Sequence, residues 1–189
     1  MQIIETSLAG VLLIEPKVFE DERGFFLESY HEAKYQAAGI PNRFVQDNHS
    51  RSTRGTLRGL HYQLQHPQAK LCRVVVGEVL DVVVDIRHGS PTFGQWLTAE
   101  LSAQNKRQIF IPAGFAHGFL VRSEVAEFLY KCDDVYYPGD DFGIKWNDPN
   151  IGIDWELDEA LQAGLLLSAK DEKNRLLGEV PERELPRFR

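Results

Sequence analysis

The sequence predicts an all-β chain, a sandwich or barrel with a few short helices. Three observations predict it. Turn signals recur at short intervals: Arg54-Gly55, His66-Pro67, Gly77, Gly89-Ser90-Pro91, Pro112-Ala113-Gly114, Pro138-Gly139 and Asn147-Asp148-Pro149. The runs between them are short and rich in Val, Ile, Leu, Phe and Tyr, which suit a pleated, half-buried surface. Helical periodicity is scarce.

Length and composition bound the rest. The 189 residues suit one domain with a sizeable core, expected over residues 1–178, with a polar, proline-containing tail over 179–189 expected to be loosely ordered. Hydrophobic residues at 43% and charged residues at 26% are ordinary for a globular chain and exclude disordered or collagenous classes. No apolar run approaches the roughly 20 residues of a membrane helix. Met1-Gln2-Ile3-Ile4-Glu5 lacks the basic flank and apolar stretch of a signal peptide, so no membrane and a cytoplasmic location are expected. Cys72 and Cys132, without CxxC spacing, indicate neither a disulfide scaffold nor a zinc site. A net charge of −7 argues against nucleic acid as a partner.

Along the chain, His31 to Ala38 followed by Gly39 reads as a short helix with a glycine stop. Leu57 to Gln63 reads as a strand. Arg58 and His61 then fall on opposite faces, and meet at one site only if the strand bends, for which Gly59 is a plausible bulge. Val79 to Arg87 is the clearest strand. Leu80, Val82, Val84 and Ile86 share one face; Asp81, Val83, Asp85 and Arg87 share the other, which either lines a wet cavity or is solvated. Pro112 and Gly114 turn the chain between two apolar strands, and His117 and Phe119 then face one side. Ser168-Ala169-Lys170-Asp171-Glu172 resembles a capping box and predicts a second short helix.

The segment from Arg51 to Arg73 holds Arg51, Arg54, Arg58, Lys70 and Arg73 and no acidic residue. Such a cluster could bind a phosphate or diphosphate, or could be a solvated loop. Its apolar neighbours Leu57, Leu60 and Tyr62 favour a packed strand under Arg58. His61 suits a general base, a metal ligand or a hydrogen-bonded core residue. His117 after a turn is more often structural. Tyr130, in Phe128-Leu129-Tyr130-Lys131, could deliver a proton at neutral pH or simply pack its ring. Asp171 could orient a histidine, though a helix cap is the commoner use.

Arg58-Gly59-Leu60-His61 together with Pro112-Ala113-Gly114-Phe115-Ala116-His117-Gly118-Phe119 resembles the dTDP-4-dehydrorhamnose 3,5-epimerase family of the cupin superfamily. Asp21-Glu22-Arg23-Gly24-Phe25-Phe26, Gln46-Asp47-Asn48-His49-Ser50, Phe93-Gly94-Gln95-Trp96, Trp146-Asn147-Asp148 and Leu167-Ser168-Ala169-Lys170-Asp171 extend the likeness in order over about residues 1 to 178. The resemblance implies a cupin-type β jelly roll and a homodimer whose sites are completed across the interface. It implies a nucleotide-sugar substrate, dTDP-4-dehydro-6-deoxy-D-glucose, inverted at C3 and C5. Some relatives act at C3 only or at C5 only.

By position, the resemblance makes His61 the base, Asp171 its carboxylate partner, Tyr130 the acid on the opposite face and Lys70 the cation for the enolate oxygen. Arg23, Glu28, Gln46, Asn48, Arg58, Lys70, His117 and Lys170 match substrate contacts, and Asp141 stands where the family often has glutamate. No cofactor is called for, because no electrons leave the sugar. A metal-dependent cupin would usually supply a His-x-His pair, and here that segment reads His61-Tyr62-Gln63. A non-catalytic nucleotide-sugar binder is the other rival, but pure binding needs no acid–base set.

Overall fold

The computed structural model describes residues 1–188. Thirteen strands and two α-helices follow in order: β1 (Gln2–Glu5), β2 (Leu12–Glu15), β3 (Val18–Asp21), β4 (Gly24–Leu27), α1 (Glu32–Ala37), β5 (Gln46–Thr53), β6 (Leu57–Gln63), β7 (Lys70–Val76), β8 (Glu78–Asp85), β9 (Trp96–Ser102), β10 (Gln108–Ile111), β11 (Phe115–Val121), β12 (Val125–Cys132), β13 (Asp141–Gly143) and α2 (Glu159–Ala163). A six-stranded sheet runs β1-β2-β10-β7-β12-β5, a five-stranded sheet runs β13-β6-β11-β8-β9, and β3-β4 is a separate hairpin.

The two large sheets face each other. Val79, Val83, Phe115 and Phe119 of one meet Cys72, Val74, Ile109 and Phe128 of the other in a central core. A second apolar cluster covers the outside of the five-stranded sheet, where Leu80, Val82, Val84 and Ile86 pack under Trp155, Leu161, Leu177, Val180 and Leu185. A third lies under α1, joining Tyr35 and Ile40 to Leu71 and Phe110. Strand β8 is thus covered on both faces. The expected polar face is not solvated: Asp81 and Asp85 are both fully buried. Asp85 is paired with Arg87 and accepts from Ser90 and Thr92, while Asp81 reaches His117.

The expected helix after His31 is present, with Gly39 at φ +89° just beyond it. The helix expected after Ser168 is instead a single 3-10 turn, Asp171–Lys173, with Ser168 Oγ accepting from the Asp171 amide at 3.1 Å. It stops because Asn174 turns extended, with ψ at 146°. Helix α2 was not anticipated; its signal is local, since Asp158 caps the Leu161 amide at 2.7 Å and Gly164 ends it.

The tail expectation needs correction over residues 179–188; Arg189 lies outside the described residues. Residues 179–188 pack rather than wander. Val180 and Leu185 are 6% and 5% exposed. The Tyr62 hydroxyl donates to the Glu184 carbonyl at 2.9 Å. The His88 amide donates to the Pro186 carbonyl and the His88 carbonyl accepts from the Phe188 amide, and the Arg87 guanidinium lies over the rings of both Phe115 and Phe188. The tail's polar composition hid two apolar anchors spaced to cover β8. Leu185→Ala should therefore lower stability by about 2–5 kcal/mol, the usual cost of emptying a buried leucine site. A urea midpoint shifted at constant slope would show it; a change under about 0.5 kcal/mol would mean the tail is a surface segment.

Candidate active site

The site is built where β6 departs from regular register. Leu57 pairs with Leu120 and Arg58 with Phe119, but His61 pairs with His117. Two residues of β6, Gly59 and Leu60, thus stand against Gly118 alone. That count is a β-bulge, and it turns Arg58 and His61 to the same side. The expected bend is therefore present at the expected residue.

Glycine is required on both strands there. Gly59 has φ +119°, and a Cβ on it would lie 2.7 Å from the His117 carbonyl oxygen. A Cβ on Gly118 would lie 2.6 Å from the Arg58 carbonyl oxygen. Leu60, the displaced residue, recovers its backbone bonds from Ile144 on the other edge.

The bulge faces a cavity of about 240 Å³ between the sheets, lined by Arg58, His61, Lys70, His117, Tyr130 and Asp141 among others. His61 comes from the five-stranded sheet and Tyr130 from the six-stranded one, so imidazole and phenol stand on opposing walls. Of the basic cluster, only Arg58 and Lys70 line this cavity. Arg51 pairs with Glu127 at 2.9 Å, Arg54 approaches Asp158, and Arg73 borders a separate depression.

Asp171 reaches His61 because the chain from Gly164 returns to β6. Leu166 bonds both Gly55 and Leu57, and the turn after Ser168 then places Asp171 behind the imidazole. His61 Nε2 lies 2.5 Å from Asp171 Oδ1, and the Asp171 side chain is only 3% exposed. Burial pushes the Asp171 carboxyl up, but the His61 bond and charge, Ser168 and the Gly59 backbone outweigh it and hold it below the ordinary range. An ionised carboxylate can only accept, so Nε2 carries the shared hydrogen and Nδ1 keeps the basic lone pair.

Burial, followed by the neighbouring Cys132 and Cys72 thiols, pushes the Tyr130 phenol up to about 12, against a weaker downward pull from Arg58. It is a group that holds its proton at any ordinary pH. The remaining expected residues are distributed unevenly. Asp141 is ion-paired with Lys170 and accepts from the Tyr136 hydroxyl at 2.8 Å. Gln46 donates to Asn48 at 2.9 Å on β5, and Asn48 borders the adjacent depression. Arg23 and Glu28 are not at the cavity: Arg23 pairs with Asp21 on the hairpin, and Glu28 with Lys34. Asp81, bonded to His117 at 2.8 Å, was not among the expected residues. Its signal was present in the alternation of β8, which put Asp81 on the partly polar face that either lines a wet cavity or is solvated.

The sequence model of the dTDP-4-dehydrorhamnose 3,5-epimerase family matches residues 5–179. The chain belongs to the dTDP-4-dehydrorhamnose 3,5-epimerase family. The family member of Pseudomonas aeruginosa is 54% identical over 181 residues, covering 95% of this chain and 98% of the relative. That of Methanothermobacter thermautotrophicus is 51% identical, covering 95% and 96%. Among solved structures, the dTDP-6-deoxy-D-glucose-3,5-epimerase of Legionella pneumophila Philadelphia 1, in complex with dTDP-4-keto-L-rhamnose, superposes with a TM-score of 0.95 at 52% identity, covering 100% of this chain and 98% of that one. The paired sheets of this epimerase-family chain are thus a cupin-type jelly roll, as the resemblance implied.

Gly118→Ala should push β11 away from the bulge. The expected result is a loss of about 1–3 kcal/mol in stability, with residual activity falling further than folded fraction does. A variant of unchanged stability and activity would mean that the two strands have slack at this crossing.

Proposed function

We propose that this chain inverts C3 and C5 of dTDP-4-dehydro-6-deoxy-D-glucose, giving dTDP-4-dehydro-L-rhamnose. The observation that carries the reading is the placement of a carboxylate-backed imidazole, His61, and a protonated phenol, Tyr130, on opposite walls of one cavity. Both carbons are α to the C4 ketone, so loss of either hydrogen gives an enolate. His61 Nδ1 takes the proton from one face. Tyr130 supplies one to the other face, and the centre inverts. Asp171 fixes the imidazole tautomer and stabilises the imidazolium that forms, as in other carboxylate–imidazole pairs. Lys70 lines the same cavity and offers an ammonium to the enolate oxygen, where oriented charge in a dry site counts most. One proton leaves and one returns at each centre, so the ledger closes with no electron acceptor.

Arg58 is the guanidinium placed to hold the diphosphate, its Nε anchored on Ser52 Oγ at 3.1 Å. Asp141, Lys170, Gln46 and Asn48 lie toward the nucleotide side in this reading. The β3–β4 hairpin supports a homodimer. It stands apart from the two large sheets, and a lone two-stranded hairpin is marginal in water. Phe25 and Phe26 on it are 61% and 69% exposed. Docked on a second copy, the hairpin would cover those rings and carry Arg23 to that copy's cavity, with Glu28 just beyond the hairpin's end. No helix among the described residues is long and apolar enough to cross a membrane. The two cysteines are buried and unpaired, which suits a reducing, cytoplasmic setting.

Proton NMR of the product formed in heavy water tests the reaction. Deuterium at both C3 and C5 with L-configured product is expected; labelling at one carbon means a single epimerase, and none means a binder. Tyr130→Phe should still exchange hydrogen but lose inversion, most strongly at C5, while His61→Ala should lose exchange at both carbons. Full inversion by the first variant, or exchange by the second, would assign the acid or base elsewhere.

The phenol's environment sets a pH expectation. The folded protein holds the Tyr130 proton up to about 12, against about 10 for an exposed tyrosine. The acid is therefore present throughout pH 7–10, and the ratio of inversion to exchange should stay level there. A ratio falling with a midpoint at the ordinary tyrosine value would show an exposed phenol. The same upward shift stabilises the fold below pH 10, and that contribution is lost as pH rises toward 12.

A further inference from the structure

Two crossings between the sheets border the cavity. Residues 64–69 lead from β6, on the His61 wall, to β7, on the Lys70 wall. Residues 133–140 lead from β12, which carries Tyr130, to β13, which pairs with β6. Neither crossing contains a strand, yet Gln63, Gln68, Tyr136 and Asp141, on these crossings or at their ends, all line the cavity.

Backbone that leaves a sheet must find its hydrogen-bond partners elsewhere. Here each crossing uses the other. Asp133 Oδ1 accepts from the Ala69 amide at 2.6 Å, and Gln68 Nε2 donates to the Asp134 carbonyl at 2.8 Å. Gln63, itself only 6% exposed, donates to the His66 carbonyl at 2.6 Å and accepts from the Tyr137 amide at 2.9 Å. The His66 and Tyr137 rings stack with centroids 3.6 Å apart.

Asp140 ties the knot. It ends a single 3-10 turn, Pro138–Asp140, and is 6% exposed. Its carboxylate accepts from three successive amides of the other crossing. Oδ1 takes Leu64 at 3.3 Å and Gln65 at 3.0 Å; Oδ2 takes Gln65 at 2.9 Å and His66 at 2.7 Å. Successive amides turned to one point form a nest of the kind that binds anions. The chain fills this one with its own carboxylate. The next residue is Asp141, which accepts from the Tyr136 hydroxyl and pairs with Lys170. One buried side chain thus holds both crossings and adjoins the first residue of β13.

A rim that moves freely must be ordered when a ligand arrives, and that cost is subtracted from affinity. A rim already held in place has met the cost during folding. We propose that Asp140 is a positioning residue for the nucleotide end of the substrate: it keeps the rim preformed, and so acts on affinity and leaves the chemical step alone. The inference rests on the nucleotide-sugar reading above.

Calorimetric titration with dTDP and heavy-water exchange kinetics, both on the full chain, test it. Asp140→Ala should weaken dTDP about tenfold and raise KM by a like factor, with kcat within about twofold of wild type. Hydrogen exchange at the Leu64, Gln65 and His66 amides should quicken in the free variant and slow again with saturating dTDP. Asp140→Asn keeps a carbonyl oxygen for the Leu64 and Gln65 amides and should lose only about two- to threefold in affinity. It carries the test if the alanine variant does not fold. Unchanged dTDP affinity in whichever variant folds, or a fall in kcat at unchanged KM, would overturn the proposal. Wild-type protein that binds no dTDP would instead overturn the nucleotide-sugar reading, while the amide exchange still reports whether Asp140 holds the rim.

Discussion

Two residues separate Arg58 from His61 where β11 has only Gly118 between the residues opposite them, and the composition of the cavity wall depends on that mismatch. In a regular strand one of the two would point into the outer apolar cluster with Leu57 and Leu60. The mismatch instead sends guanidinium and imidazole inward together and leaves Leu60 fully buried on the outer side. Glycines at positions 59 and 118 make the close crossing sterically possible. Catalytic geometry here is a property of backbone register before it is a property of side chains.

The sheets then divide the chemistry. The five-stranded sheet carries His61 and His117; the six-stranded one carries Lys70 and Tyr130. A flat sugar ring held between them, as proposed above, would have each face turned to a different wall, which is what inversion requires. The two histidine–carboxylate pairs sit in different surroundings. Asp171 bonds His61 and is held below the ordinary carboxylate range, one oxygen of Asp81 has no hydrogen-bond partner among the described residues, and burial keeps the Tyr130 hydroxyl neutral.

Much of this was legible in the sequence because strands and turns are local. Alternation over residues 79–87 gave β8 its two faces, and Gly59 marked the bend. The Asp81 pair was not legible, since alternation says which face a carboxylate is on but not what stands opposite it. The basic run from Arg51 to Arg73 read as one cluster although strand parity and the turn at Gly55 scatter it: Arg51 points outward to Glu127 while Arg58 points in. The tail misled for a similar reason. Val180 and Leu185 find their cover on β8, roughly a hundred positions earlier, and no local pattern records that. Asp171 carried two local meanings, cap and partner, and only the return of the chain along β6 selects the second.

That return has a consequence for biosynthesis. His61 and Asp171 are 110 positions apart, and part of the cover on the outer face of β8, Leu177, Val180 and Leu185, follows later still. A nascent chain can pair most of its strands before it owns the carboxylate that orients its imidazole. Contacts of such long sequence separation form slowly. A product truncated upstream of that carboxylate would lack both the brace of the imidazole and the apolar residues Leu177, Val180 and Leu185 that cover β8.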